Sequence, residues 1–75
     1  MTNLQQSILT FIRQFIAASG YPPSYEEIRA GCGLSSKSVV HYHLVRLERA
    51  GRLTHKPRSP RSIRLIEHND LPESR

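Results

Sequence analysis

The stretch that decides the fold is GCGLSSKSVV, residues 31–40. Glycine is the usual residue for the left-handed turn that ends a helix, and serine often caps the start of the next one. The stretch therefore predicts two helices joined by a tight turn, with Leu34 in the core and Ser35 or Ser36 as the cap. Gly31 is expected to shorten or loosen the preceding helix, because glycine inside a helix costs about 1 kcal/mol relative to alanine.

The chain before this turn predicts two helices. Ser24 and Glu27 have the spacing of a capping box, in which each side chain satisfies a backbone N–H, so the second helix should begin at Tyr25. Residues 21–23, Tyr-Pro-Pro, cannot continue a helix because proline lacks the amide donor. A first helix that ends near residues 19–20 is indicated by apolar residues at helical spacing, namely Leu4, Ile8, Phe11, Ile12, Phe15 and Ile16.

The third helix is predicted to cover about residues 36–50, with Gly51 as its natural stop. An advance of about 100° per residue gives a packed face made of Val40, His43, Leu44 and Leu47. The outer face carries Ser38, Tyr42, Val45 and Arg49, with Val39, His41 and Arg46 at its flanks. A tyrosine and a valine on that face favour contact with a partner, although Tyr42 could instead simply cover neighbouring apolar surface.

A β-hairpin is predicted after Gly51, where the helical period ends. Two short stretches, residues 52–56 and 61–66, flank a Pro-Arg-Ser-Pro turn. Period-two alternation gives them an inward face with Leu53, Ile63 and Leu65. The fold class is therefore mainly α with a small β-hairpin, a three-helix winged helix-turn-helix domain over residues 1–66. Residues 67–75 are predicted to be a polar linker or a disordered tail.

The charge balance points to a polyanionic partner. Eleven Lys and Arg face six Asp and Glu, for a formal net charge of +5, and such a basic excess most often serves nucleic acid and less often an anionic membrane. A domain of 75 residues hides only about 60% of its unfolded surface, which argues against a deep catalytic cleft. The lone Cys32 cannot form an internal disulfide, and no signal peptide or membrane-length apolar run is visible, so a cytoplasmic protein is expected.

The third helix and the hairpin together predict a DNA interface. A helix-turn-helix reads bases mainly with the first residues of its second helix, while basic groups around it hold phosphates. The predicted base readers are Ser36, Ser38, Val39, His41 and Tyr42. The predicted DNA-backbone contacts are Lys37, Arg46, Arg49, Lys56, Arg58 and Arg61. Lys37 could also be an ordinary solvated lysine, and Arg58 and Arg61 could be merely solubilising, since charge runs usually are.

Other chemistries fit the sequence poorly. Residues two apart on a helix point about 200° apart, so His41 and His43 cannot share one metal ion, and neither a metal nor another cofactor is predicted. Ser36 beside Lys37 lacks the third partner of a nucleophilic site, and a cap explains the serine. Two alternatives stay open: a protein-interaction module anchored by Tyr42 and Val45, and a nonspecific or RNA-binding domain, which would lack the usual aromatic platform.

The sequence resembles the N-terminal DNA-binding domain of the LexA repressors over about residues 4–66. The resemblance rests on these segments: GYPPS (20–24), Glu27-Ile28, GLSS (33–36), Val40-His41, His43-Leu44, Leu47-Glu48, Gly51, and Pro60-Arg61 with Ile63 and Leu65. The Tyr-Pro-Pro connector and the Pro-Arg-x-Ile-x-Leu ending make it more specific than a generic helix-turn-helix pattern.

The resemblance implies a bacterial or phage-encoded, nucleoid-associated repressor of DNA-damage (SOS) response or phage genes. It implies a palindromic double-stranded operator bound by a homodimer, and a monomer or weak dimer in isolation. Members of the family normally carry a second domain with a self-cleaving Ser/Lys protease, which these 75 residues do not include, so no enzyme activity is expected. Lys37, Val39 and Tyr42 depart from some relatives, and the operator therefore cannot be transferred.

Overall fold

The computed structural model describes residues 3–56, 59 and 61–66. It has three helices and a two-stranded antiparallel sheet, which confirms the predicted fold class. In chain order these are α1 (Asn3–Ser19), α2 (Tyr25–Cys32), α3 (Lys37–Arg49), β1 (Leu53–Thr54) and β2 (Arg64–Leu65). The predicted linker, residues 67–75, lies outside the described residues.

Helix α1 follows the predicted apolar period and ends where predicted. Ile8, Leu9 and Ile12 are buried, and the N–H of Gly20 donates to the carbonyl of Ile16 at 2.8 Å. Gly20 has a φ of 82°, in the left-handed region that glycine enters without steric cost.

None of the described helices is long and apolar enough to cross a membrane.

The capping box at the start of α2 is confirmed. The N–H of Glu27 donates to Ser24 Oγ at 3.2 Å, and the N–H of Ser24 donates to Glu27 Oε1 at 2.8 Å. The helix ends at Gly33, which has a φ of 68°, and the N–H of Leu34 donates to the carbonyl of Arg29 at 2.9 Å. This left-handed turn delivers Leu34 to the core, where it is buried.

Gly31 does not shorten α2, because the helix continues through Cys32. A Cβ atom at Gly31 would overlap the ring of Phe11. The missing side chain therefore lets α2 approach α1 closely. The expected shortening is therefore not seen, and the contact with Phe11, 20 positions away in the sequence, accounts for a glycine at this position.

Helix α3 is capped by Ser36, which settles the choice left open between Ser35 and Ser36. The Ser36 Oγ accepts a hydrogen bond from the N–H of Val39 at 3.3 Å. The predicted stripe of Val40, Leu44 and Leu47 is fully buried. It packs into a core completed by Ile8, Leu9, Ile12, Ile28, Leu34, Leu53 and Ile63.

The hairpin, residues 52–66, is called the wing below. Leu53 pairs with Leu65 and Thr54 with Arg64, so the strands are shorter than the predicted stretches. Beyond the ladder, Lys56 and Ser62 are joined by side-chain bonds: the N–H of Lys56 donates to Ser62 Oγ at 2.8 Å, and Ser62 Oγ donates to the Lys56 carbonyl at 3.0 Å. Of the inward residues, Leu53 and Ile63 are buried, and Leu65 is half-buried against the core.

Candidate nucleic-acid interface

The exposed face of α3 carries most of the residues predicted to contact DNA. Ser38, His41 and Tyr42 are exposed, as are the cationic side chains of Lys37, Arg46 and Arg49. Tyr42 is 56% exposed, although it is a large hydrophobic side chain. The structure thus brings polar, aromatic and basic groups together on the side of α3 opposite the core.

Two predicted base readers have structural duties as well. Ser36 is half-buried, and its hydroxyl oxygen accepts the capping hydrogen bond from Val39. The side chain of Val39 is half-buried and packs against the core. Both residues lie at the start of α3, yet they offer less free surface than Ser38, His41 and Tyr42.

The start of α3 favours an anion. The unpaired N–H groups of a helix N-terminus carry partial positive charge, and the first turn of α3, which the structure describes in full, contains no acidic residue. Lys37 occupies this turn and is exposed. Its charge opposes the helix dipole by about 0.3 to 1 kcal/mol, and a bound phosphate would reverse that penalty.

Tyr42 is oriented by its neighbours on α3. The guanidinium carbon of Arg46 lies 5.7 Å from the centre of the Tyr42 ring, within range of a cation–π contact. On the other side the rings of Tyr42 and His43 meet edge to face, with their centres 5.1 Å apart. These contacts hold a rigid aromatic side chain at the surface next to a positive charge.

The predicted packing role of His43 is confirmed. His43 Nδ1 lies 3.2 Å from Nε2 of Gln5 on α1, at hydrogen-bond distance. Gln5 is buried, so this bond pairs a polar group inside the domain. His43 therefore joins α3 to α1 and also contacts the ring of Tyr42 at the edge of the exposed face.

His41 is held by a residue that the sequence did not single out. The hydroxyl of Tyr25, the first residue of α2, lies 3.2 Å from His41 Nδ1. Partial burial raises the pKa of the Tyr25 hydroxyl, and the negative charge of Glu48 adds to the effect, so this hydroxyl stays protonated and able to donate. The contact fixes the imidazole of His41 and ties the two helices of the helix-turn-helix together.

His55 and Glu48 were also missed. The side chain of His55 is only 2% exposed, and its Nδ1 lies 2.8 Å from Glu48 Oε1. The His55 ring also meets the rings of Tyr25 and His41, with centres 6.3 and 5.9 Å apart. The alternation of the strand could have predicted this burial, because His55 lies two positions after the inward residue Leu53 and so shares its face.

The three basic residues of the wing that were predicted to contact the DNA backbone differ in what the structure shows of them. Lys56 is exposed. Arg58 lies outside the described residues. Arg61 makes several contacts within the chain. Its Nη1 donates to Glu27 Oε1 at 2.7 Å and to the Pro22 carbonyl at 3.1 Å, its Nη2 donates to Glu27 Oε2 at 3.0 Å, and its guanidinium lies 4.7 Å from the ring centre of Tyr21.

Within residues 3–56, 59 and 61–66, the structure shows no group of three His, Cys, Asp or Glu side chains able to hold a metal ion. The free Cys32 is half-buried, and burial raises the pKa of its thiol, which disfavours the reactive thiolate. The exposed face of α3 offers hydrogen-bonding groups, an aromatic side chain and positive charge.

A three-helix domain with a tight turn between α2 and α3, an exposed basic face on α3 and a short hairpin after it is a winged helix-turn-helix domain. Such domains place the second helix of the motif in the major groove of DNA. The model of the LexA DNA binding domain matches residues 1–62. The chain belongs to this family, as the resemblance in its sequence implied.

Sequence identity to relatives named LexA repressor supports this assignment. The chain is 44% identical to the protein of Geobacillus kaustophilus over 75 residues, all of the chain. It is 51% identical to that of Clostridium acetobutylicum over 65 residues, 87% of the chain, and 41% identical to that of Bacillus subtilis over 75 residues, 99% of the chain. The alignments span 36%, 32% and 37% of these relatives, so the chain covers about a third of their length.

Proposed function

We propose that this chain is the DNA-binding part of a transcriptional repressor, with α3 in the major groove of a double-stranded operator and the wing on the DNA backbone. The observation that carries the proposal is the face of α3: its N-terminus has Lys37 in place of an acid, and Ser38, His41 and Tyr42 stand exposed beside it. Family membership and the name of the relatives support the same function.

The side chains of α3 are assigned two roles. Ser38, His41 and Tyr42 read base edges, because a hydroxyl or an imidazole can hydrogen-bond to them. Val39 offers methyl groups to a thymine methyl. Ser36 acts mainly through its cap, which sets the angle at which α3 begins.

The phosphates are held by basic side chains around the reading surface. This set consists of Lys37, Arg46, Arg49, Lys56 and Arg58. Arg61 is left out of it, because its guanidinium is already engaged by Glu27, Pro22 and Tyr21.

The assembly proposed is a homodimer on a palindromic operator, formed chiefly on the DNA. Two copies related by a two-fold axis would read the two half-sites about one helical turn apart, or a multiple of it. DNA-damage response genes or phage genes in a bacterial cell are the proposed targets. Since the hydroxyl of Ser36 is committed to its cap, no catalytic role is assigned to the Ser36–Lys37 pair.

The test is selection of duplexes from a randomised DNA pool, followed by titration of the enriched duplex at several salt concentrations. Enrichment of one sequence is expected, with two inverted copies if the dimer forms. Log affinity should fall with log salt, at a slope of about 0.9 per phosphate neutralised. No duplex binding, or binding that ignores salt, would refute the proposal, and capture of a protein partner through Tyr42 instead would favour an interaction module.

A further inference from the structure

The described residues of the wing, 52–56, 59 and 61–66, share few backbone hydrogen bonds. Its two strands contain two residues each, and an isolated two-stranded hairpin is marginally stable at best in water. Leu53, Ile63, the side chain of His55 and, in part, Leu65 anchor its base against the helices. The direction in which the rest of the wing projects must therefore depend on further contacts.

Arg61 supplies such contacts. Its two terminal nitrogens bind the two carboxylate oxygens of Glu27 at 2.7 and 3.0 Å, the bidentate geometry in which arginine pairs with a carboxylate most strongly. The same guanidinium reaches the Pro22 carbonyl and the Tyr21 ring. These contacts of Arg61 with Tyr21, Pro22 and Glu27 are called the wing latch.

The backbone of Arg61 adds an independent sign of constraint. Its φ is 57°, in the left-handed region that costs a residue with a side chain about 1 to 2 kcal/mol. Such conformations persist where the surroundings determine them. The contacts of the Arg61 side chain with Tyr21, Pro22 and Glu27 provide such surroundings.

Glu27 joins the latch to the helix-turn-helix. Its Oε1 accepts from the backbone of Ser24 at 2.8 Å while it also accepts from Arg61. One carboxylate thus caps the first helix of the motif and holds the wing. Any tilt of the wing would have to break an interaction at the start of α2.

We infer that Arg61 and Glu27 are positioning residues for DNA binding, which hold the wing in register with α3 without touching the operator. The inference rests on the proposed function. It assigns an acidic residue, Glu27, a favourable effect on binding to a polyanion. It also changes the predicted role of Arg61 from a phosphate contact to an internal one.

The sign of the effect at Glu27 separates the two roles of Arg61. If Arg61 bound a phosphate, Glu27→Gln would free it and remove a negative charge, so duplex binding would stay equal or tighten. If the latch positions the wing, the same variant would weaken binding. Glutamine is accepted in the capping box, so Glu27→Gln keeps the helix cap while it loses the charged pairing.

Glu26→Gln is a matched control in the same turn of α2. It removes an equal charge, but Glu26 pairs with Arg29 on its own helix, at 2.6 Å. The charge of Lys37 also acts on Glu26, so both variants are compared with wild type as well as with each other. The experiment titrates the duplex enriched from the randomised pool with wild type, Glu26→Gln, Glu27→Gln, Arg61→Gln and the double variant at Glu27 and Arg61. Amide hydrogen exchange at Lys56 and Ile66 reports on the wing without DNA, and circular dichroism confirms that each variant is folded.

Glu27→Gln is expected to bind about three- to tenfold more weakly than Glu26→Gln, as for loss of a charge-assisted contact. The double variant should be no weaker than Arg61→Gln, because both changes break one interaction. Faster exchange at Lys56 and Ile66 should accompany the loss.

Glu27→Gln binding as tightly as wild type or as Glu26→Gln, whether or not Arg61→Gln is impaired, would overturn the inference. Unchanged exchange in the wing would also overturn it. Failure of the wild type to bind any duplex would instead refute the proposed function and the DNA role of the latch, and the exchange data would then still report whether the latch orders the wing.

Discussion

Helix α3 and the wing both carry basic side chains, but they are held in place by different forces. α3 is fixed by a stripe of fully buried apolar residues, Val40, Leu44 and Leu47. The wing buries Leu53, Ile63 and the side chain of His55 and packs Leu65 partly against the core. Its other described contacts include hydrogen bonds and an ion pair at the surface. The position of α3 is therefore inseparable from the stability of the domain, whereas the position of the wing can be changed while the domain stays folded.

The strongest way to test this difference is to shorten one apolar side chain in each region. Leu44→Ala is expected to lower the free energy of unfolding by about 2 to 5 kcal/mol, because a fully buried leucine leaves a cavity. Leu65→Ala in the wing should cost clearly less, since Leu65 is half-buried. Urea denaturation measures both, and an equal loss in the two variants would show that the wing belongs to the cooperative core.

A second comparison separates side chains that recognise bases from side chains that bind phosphates. Tyr42→Ala should change the sequence selected from a randomised pool, with a loss of about 1 to 3 kcal/mol at the affected base positions. Lys56→Ala should weaken all duplexes about equally and reduce the salt slope by about 1. If Lys56→Ala altered sequence preference as much as Tyr42→Ala, the division of roles between α3 and the wing would be wrong.

The helix cap gives a smaller effect with a close control. Ser36→Ala should destabilise the domain by about 1 kcal/mol, because it removes the acceptor for the Val39 N–H. Ser35→Ala changes an exposed neighbour and should stay within about 0.5 kcal/mol of wild type. Thermal unfolding distinguishes them, and equal stability of the two variants would contradict the assignment of the cap.

Local sequence patterns predicted the features that depend on neighbours along the chain. The capping box at Ser24, the buried stripe of α3 and the stop near Gly51 all follow from spacings of a few residues. The helix-turn-helix and the hairpin followed from these elements, and the exposed face of α3 followed from the helical period. Periodicity thus gave the elements and which side of each faces outward.

The contacts between elements could not be predicted in the same way. Arg61 meets Glu27 across 34 positions, and Tyr25 meets His41 across 16. These pairings depend on how the elements pack and on which rotamers the packing allows. Gly31 is a similar case, because its low helix propensity follows from the residue type alone, whereas its contact with Phe11 depends on how α1 and α2 pack.

The smallest expected effect is a dependence of the wing on acidic pH. Hydrogen bonds from Arg61 lower the pKa of Glu27, and the bond from the Ser24 N–H adds to the shift. A carboxyl group with a lowered pKa in the folded state stabilises that state above its unfolded pKa, and the contribution is lost as the pH falls through the lower, folded value. The latch should therefore release at a pH below the ordinary pKa of glutamate, about 4.3.

Amide chemical shifts of Lys56 and Ile66, followed by NMR between about pH 6 and pH 3, should report this release at the wing. Arg61→Gln should show the released shifts already at neutral pH and little change on acidification. Arg29→Gln is the control, because Arg29 lowers the pKa of the neighbouring Glu26 in the same way but has no contact with Glu27 among its hydrogen bonds in the described residues. A wing that titrates identically in wild type and Arg61→Gln would show that its position does not depend on this carboxylate.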